Sequence, residues 1–471
     1  MRILRRLFPN RGQKESAAGI YELISAIDQK VRGRESIQDL AACLDAARVP
    51  LFALFCRPLG SSLAAKALTL KVLNILLAKY HLLTRSTVLL SRPYGLQVDP
   101  SNACNLACPG CVHSPSVKAL KIFDWNKGTL SEERFRGLLR LYGSYLFQIV
   151  FCNYGEPITN PNTPKLIEIA KSYLTQTVLS TNLAIGRFDA EAYVRSGLDF
   201  LLLSIDGATQ KVYERYRKNG NIEIVYRNIQ NLVKARRALR KRTPVIRWQY
   251  LAFEHNAHEI PLALEVARAL GVDEFNVETP FDVSWDDPGI RPAGIPAWSR
   301  ELDSGTEEKF SENSNLVPNQ MTEEIIEREF AASWSAKLRE QQHPAHPNAQ
   351  PAEHTCHWLY KSMVMDANGR ILPCCAAPGP GLDLVFSTLV PDQVGDCFNS
   401  ERYQTARLLF ADRAAYESDR ASGPASPNLY CENCKWDQVA TNIGPDQVAQ
   451  ALKTFGKGVI DSRSIEILSA W

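Results

Sequence analysis

The things this sequence lacks narrow it first. No uncharged apolar stretch reaches the roughly 18 residues that a membrane-spanning helix needs. The opening segment, Met1 to Asn10, is basic but holds no apolar core before Pro9, which argues against a secretory leader. Net charge is nearly absent: 54 Lys and Arg stand against 51 Asp and Glu, for +3. So small an excess gives no reason to expect nucleic acid as the main partner. No internal repeat is present. The expected location is the cytoplasm. There the 12 cysteines stay reduced, so clusters of them suggest metal before disulfides.

The chain has 471 residues, 45% hydrophobic and 22% charged, which fits a globular protein of two or three domains. Residues 1–92 read as an N-terminal helical region. Within it, Ser61–Leu90 is rich in Leu and Ala and is interrupted by Lys66, Lys71, Lys79 and Arg85. Such a segment is either a helical cap on the domain that follows or a basic helix lying on a membrane surface. The lysines do not share one helical face, which weighs toward the cap.

From Tyr94 the pattern changes. Short apolar, β-branched runs at Gly95–Val98, Gln148–Cys152, Thr177–Ser180, Phe200–Ile205, Val245–Leu251 and Glu274–Val277 predict strands. Helices are expected between them at Ser131–Tyr142, Thr163–Tyr173, Ala190–Ser196, Ile222–Leu239 and His258–Leu270. This alternation predicts an α/β domain over residues 93–280, a parallel sheet open or curled into a partial (β/α)6 TIM-like barrel. Chemistry in such folds sits at the C-terminal ends of the strands. Residues 281–350 read as a linker or insert with one helix near Thr322–Gln342. A small cysteine-rich domain over 351–440 and a helical tail over 441–471 complete the chain.

Cys104, Cys108 and Cys111 follow the first expected strand at once. Three thiolates on one loop can bind three irons of a cubane cluster and leave the fourth iron open. The alternatives are zinc, with His113 as fourth ligand, and ordinary buried cysteine. The spacing resembles the C-x3-C-x2-C signature of the radical S-adenosylmethionine (SAM) superfamily. That resemblance extends from about Gly95 to Val277. It implies a [4Fe–4S] cluster whose open iron chelates SAM. One electron then cleaves SAM to methionine and a 5′-deoxyadenosyl radical that abstracts hydrogen from substrate. The family usually has an aromatic residue before the third cysteine, where this chain has Gly110.

Further motifs follow later strands. Asn153-Tyr154-Gly155-Glu156-Pro157 resembles the family's G-G-E-P motif, with Tyr154 replacing the first glycine. The resemblance implies that Gly155 permits close backbone approach and that Glu156 accepts a hydrogen bond from the SAM ammonium. Ser180-Thr181-Asn182 ends the third strand, with Asn182 a candidate SAM contact. Ser204-Ile205-Asp206-Gly207-Ala208-Thr209 resembles the S-I-D-G-A-T segment of radical SAM maturases and sugar-modifying enzymes. Ser204 and Asp206 are read there as contacts to the SAM ribose or substrate. Helix capping by Asp206 or Thr209 is the simpler account. Gln249 is a further candidate on the fifth strand. Cys152 can face the barrel interior and return a hydrogen atom to a substrate radical, as in radical epimerases; a small buried residue on a strand is the plainer reading.

A second cysteine set comprises Cys356, Cys374, Cys431 and Cys434. An Asn-Gly turn at Asn368 and Gly369 predicts a hairpin that brings Cys356 toward Cys374. Four thiols suit a closed cluster or zinc. The C-x12-G-x4-C stretch resembles the start of the SPASM motif. The cysteines that should follow Cys434 are absent, so the resemblance is to a shortened, twitch-type domain with one auxiliary [4Fe–4S] cluster. Cys375 or Cys397 can replace a named ligand. Cys43 and Cys56 read as core.

The resemblance therefore implies a radical SAM oxidoreductase or maturase acting on an unactivated C–H bond. Dehydrogenation, epimerisation and cross-linking are all open outcomes, on a sugar, lipid-linked or peptide substrate, and the absence of a clear peptide-recognition domain at the N-terminus tilts the expectation toward a small-molecule, carbohydrate or lipid-linked one. The implied reductant is a flavodoxin or ferredoxin. Peripheral membrane contact would run through the N-terminal basic helix. The contrasting reading is a non-catalytic iron–sulfur or zinc scaffold, or an electron carrier.

Overall fold

The computed structural model describes residues 85–115, 127–280, 289–293, 356–375, 396–422 and 429–434, with scattered positions in 71–82 and 385–388. Lys66, Lys79, Cys43, Cys56, the helix expected at Thr322–Gln342 and the C-terminal tail lie outside the described residues.

Among the described residues the strands are β1 (Gly95–Val98), β2 (Gln148–Phe151), β3 (Gln176–Thr181), β4 (Phe200–Ser204), β5 (Val245–Leu251), β6 (Glu274–Glu278), β7 (Ser362–Met365), β8 (Arg370–Leu372) and β9 (Ser387–Thr388). They form one sheet in the order β6-β5-β4-β3-β2-β1-β7-β8-β9. From β1 to β6 every pairing is parallel, and the hairpin β7–β8 and then β9 extend the other edge. Among the described residues no strand joins β6 to β9, so the sheet is a partial barrel.

The crossovers between successive parallel strands include α1 (Glu132–Tyr142), α2 (Thr163–Lys171), α3 (Ala190–Arg195), α4 (Gln210–Tyr216), α5 (Ile222–Ala238) and α6 (Ile260–Leu270). Several begin or end on a local signal. Ser131 accepts the Arg134 N–H to cap α1, and Asn221 accepts from Glu223 and Ile224 to cap α5. Gly271 ends α6 at φ 79°, the left-handed residue that closes many helices. Along α5, Ile222, Val225, Ile229, Leu232 and Val233 recur at helical spacing and are buried against the sheet. α4 is the short helix that a cap at Asp206 or Thr209 implies.

Alternation along the strands separates two faces. On β5, Ile246, Trp248 and Tyr250 are fully buried, and the Trp248 ring meets Tyr226 of α5. Arg247, Gln249 and Leu251 point the other way, into the barrel, and are half-buried. Fully burying each apolar side chain contributes roughly 1.5–3 kcal/mol, so the helix-covered face holds the sheet. The opposite face is left for function.

Two features differ from the sequence reading. The hairpin expected in the cysteine-rich domain joins the main sheet: β7 pairs with β1 in parallel from Gly95↔Ser362 to Val98↔Met365. Gly95 permits this, since a Cβ there would stand 2.6 Å from Ser362 Oγ. Lys71 is not on a lipid-facing surface. It is 2% exposed, and its Nζ donates to Leu146 O, to Tyr173 O at 2.9 Å and to Leu174 O at 3.1 Å. Burial pushes its pKa down to about 7.

Candidate active site

The loop after β1 carries the first cysteine set. Cys108 is buried, and Cys104 and Cys111 are half-buried. The Cys111 N–H donates to Cys108 O at 3.1 Å, and between them Gly110 adopts φ 74°. That left-handed conformation suits glycine and disfavours an aromatic side chain, which accounts for the departure from the family pattern.

The sulfurs are surrounded by donors. Leu106 N–H and Asn182 Nδ2 lie 3.4 and 3.8 Å from Cys104 Sγ. Arg217 Nη1 lies 3.9 Å from Cys108 Sγ. Leu106, Tyr216, Phe253 and Ile290 form an apolar cluster with Cys108, against which Cys104 and Cys111 pack. Burial pushes the Cys104 thiol up to about 12 and Cys108 up to about 11, the latter against the lowering effect of Arg217. Among the described residues no three His, Cys, Asp or Glu side chains stand close enough to share one ion. A cubane asks for less, since each thiolate takes a separate iron. Three thiols on one loop, set among N–H donors and apolar walls, fit that group.

Arg217 belongs to no expected site, and its neighbours explain its place. Its Nε donates to Asp206 Oδ2 at 2.5 Å, and Asp206 is 0% exposed. Asp206 Oδ1 accepts the Leu251 N–H at 2.7 Å. Asp206 therefore orients Arg217, with both its oxygens bonded within the chain. It does not cap α4. Thr209 occupies the cap position without a capping bond, and its Oγ1 donates to Glu259 Oε1 at 2.6 Å. Glu259 also accepts the Ala208 N–H at 2.7 Å, a role no local pattern indicated.

Glu156 is likewise turned inward. It is 4% exposed. Its oxygens accept Thr181 Oγ1 at 2.5 Å, Asn182 N–H at 2.8 Å and Ile158 N–H at 3.2 Å. The carboxyl ties the end of β2 to the end of β3. Asn182 is thereby held with its amide at Cys104 Sγ and at Asn105 Oδ1, 3.1 Å away. Burial raises Glu156 to about 7, against these donors. Gly155 crosses so close to the cysteine loop that a Cβ would fall 1.7 Å from Ser101 O. Asp99, at the end of β1, accepts N–H groups from Asn153 and Tyr154 at 2.9 Å and from Gly155 at 3.2 Å. This second clamp on the loop was also missed, because its partners lie more than fifty residues away.

Ser204 and Gln249 are in register on the barrel-facing side. Gln249 Nε2 donates to Glu278 Oε2 at 2.6 Å. Cys152 follows Phe151, whose ring meets Phe135 of α1, so the thiol takes the opposite face. It hydrogen-bonds the Ser180 side chain, and burial raises it well above the ordinary thiol value.

The second set comes from three segments. Cys356 precedes α7 (Trp358–Lys361), which leads into β7. Cys374 follows β8, after a turn in which Gly369 has φ 85° and donates to Asp366 O at 3.0 Å. Cys431 lies in the turn Tyr430–Asn433, and Cys434 N–H donates to Cys431 O at 3.4 Å. Burial, then the charges of Cys356, Cys374 and Cys434, hold the Cys431 thiol well above its usual range, so the four are electrostatic neighbours. Arg420 pairs with Glu432 at 2.7 Å beside them. Cys397 is engaged elsewhere, with the side chains of Ser387 and Tyr142. Cys375 is exposed, beside Lys361.

Residues 98–277 match the profile of the Radical SAM superfamily. The mycofactocin maturase MftC of Mycobacterium tuberculosis is 28% identical over 149 residues, which are 31% of this chain and 36% of that protein. The chain thus aligns with little more than a third of that relative. Among solved structures, Streptococcus suis SuiB bound to S-adenosylmethionine shares 16% identity at a TM-score of 0.44, over 86% of this chain and 83% of the other. The protein anSMEcpe with bound AdoMet and the Cp18Cys peptide shares 13% at 0.40, over 73% and 87%.

Proposed function

The chain carries a radical SAM domain over residues 98–277, and on that premise we propose an enzyme that cleaves SAM reductively and removes a hydrogen atom from an unactivated C–H bond. The observation that carries the proposal is the Cys104–Cys108–Cys111 loop with the Arg217 guanidinium 3.9 Å from Cys108 Sγ. When bound, a [4Fe–4S] cluster supplies the electron for that cleavage and so a hydrogen-abstracting carbon radical.

The remaining tasks fall to this chain's own residues. Cys104, Cys108 and Cys111 would hold the cluster as thiolates, Cys104 and Cys108 giving up protons that burial otherwise makes them keep. Arg217, fixed by Asp206, presents N–H groups to a carboxylate, which SAM carries and which a guanidinium fork binds well. Asn182 donates toward Cys104, oriented by Glu156. Gly155 keeps the loop close to the cysteine strand. Leu106, Tyr216, Phe253 and Ile290 exclude water from the sulfurs. Ser204 and Gln249 offer polar contacts to the ribose or substrate from the barrel side.

Cys356, Cys374, Cys431 and Cys434 are proposed to hold one auxiliary [4Fe–4S] cluster, with zinc the alternative. A flavodoxin or ferredoxin is the proposed reductant. The aligned relative is a maturase, which puts a peptide or protein precursor first among substrates to test, ahead of sugars and lipid-linked molecules. A second reading concerns outcome: Cys152 returns a hydrogen atom, giving epimerisation. Its barrel-facing thiol, kept protonated by burial, favours it. Under that reading Cys152→Ser abolishes solvent deuterium incorporation while SAM cleavage continues.

The deciding experiment is anaerobic reconstitution with dithionite and SAM. The chain should form 5′-deoxyadenosine and Cys108→Ala should form none. A fully loaded chain that releases none would leave the scaffold or electron-carrier reading.

A further inference from the structure

We infer that Tyr154 is a wall residue shared by the two cysteine sites: its backbone belongs to the loop beside the first set, and its ring shields the second set from water. The inference rests on the proposed reading of the second set as a cluster site.

The backbone is fixed from both sides. Tyr154 N–H donates to Asp99 Oδ1 and Oδ2 at 2.9 and 3.1 Å. Tyr154 O lies 2.8 Å from Nε2 of His113, two residues beyond Cys111. The ring leaves this loop and packs with Trp358 and Tyr430 against Val364 and Leu372. Trp358 is two residues after Cys356, Leu372 two before Cys374, and Tyr430 one before Cys431. Charges on Cys374 and Cys375 reach the Tyr154 phenol. Three aromatic rings from three segments thus stand around one group of thiols, and only Tyr154 comes from the first site. The motif this loop resembles has glycine at that position, which could not supply the wall.

Solvent exposure helps to set the potential of an iron–sulfur cluster. The reduced form carries one more negative charge, and water stabilises it. Opening the wall should therefore move the potential of the second cluster to less negative values and admit oxidant to its sulfides.

The test uses the full chain carrying its clusters, with redox titration followed by electron paramagnetic resonance and bleaching in air. Tyr154→Gly should shift the second cluster's potential upward and accelerate its bleaching several-fold. Tyr154→Phe should keep both properties. Tyr430→Ala removes the neighbouring ring without touching the first loop and should reproduce the shift. If Tyr154→Gly folds poorly by circular dichroism, Tyr154→Leu replaces it with the same expectation in smaller degree. A potential and lifetime unchanged in the Tyr154 variants, while Tyr430→Ala shifts them, would overturn the inference. Equal iron in Cys374→Ala and the parent would instead show that there is no second cluster, a failure of the underlying reading.

Discussion

Asp99 shows how one buried group can hold a functional loop. Three consecutive backbone N–H groups point at its carboxyl, yet burial still raises it to about 7. In the unfolded chain the same group ionises near 3.9, on the order of an ordinary aspartate. Between those values the folded chain binds a proton that the unfolded chain has released. The contribution to stability is complete below about 3.9, declines as pH rises, and is gone above about 7. Glu156 adds a slope of the same sign over a similar window. Asp99→Asn should flatten part of the fall in urea-denaturation midpoint from about pH 5 to about pH 8. Arg217 makes a second case. Arg217→Lys retains the charge but not the fork, and should lower 5′-deoxyadenosine formation roughly 10–100-fold. Arg217→Met strands the buried Asp206 charge and should cost about 3–5 kcal/mol, with Asp206→Asn in the same chain recovering part of it. At this scale the cysteines were legible because iron accepts few residue types and the loop fixes their spacing. Glu156 and Asp206 were legible as positions but not in the bonds that hold them. Their partners Thr181, Asn182, Leu251 and Arg217 come from other elements, and local sequence does not say which way a carboxyl will turn.

α8 (Glu401–Ala411) carries a buried cation that ties it to its surroundings. Arg407 is 0% exposed and donates to Leu359 O at 3.0 Å, Thr87 O at 3.0 Å and Phe398 O at 2.6 Å, with its guanidinium 4.9 Å from the Phe398 ring centroid. Burial lowers it to about 10, so it stays charged at neutral pH. Those carbonyls come from three separate segments, and no substitute reaches them all. Arg407→Met, which nearly preserves volume, should cost about 3 kcal/mol or more, read as a loss of denaturation midpoint without loss of slope. Strands β1 to β6 could be read from β-branched runs because both periodicity and turn residues agree along each segment. The partner of β7 could not. Ser362–Met365 is apolar and short, and nothing within it distinguishes the edge of the main sheet from a hairpin in a domain of its own.

The molecule as a whole carries two groups of thiols on one continuous sheet. If both hold cubanes, the loaded chain contains about eight irons, and Cys356→Ala or Cys374→Ala about four. Cys397→Ser should leave the count unchanged, because that thiol is already engaged with Ser387 and Tyr142. A chain with about four irons and one zinc would remove the auxiliary cluster and leave the SAM site standing. The pairing of β1 with β7 also bears on biosynthesis. The strand that leads into the first cysteine loop has one bare edge until Ser362–Met365 has left the ribosome. Until then that edge is an open template for other chains. Chains cut short of Ser362 should therefore form insoluble aggregates.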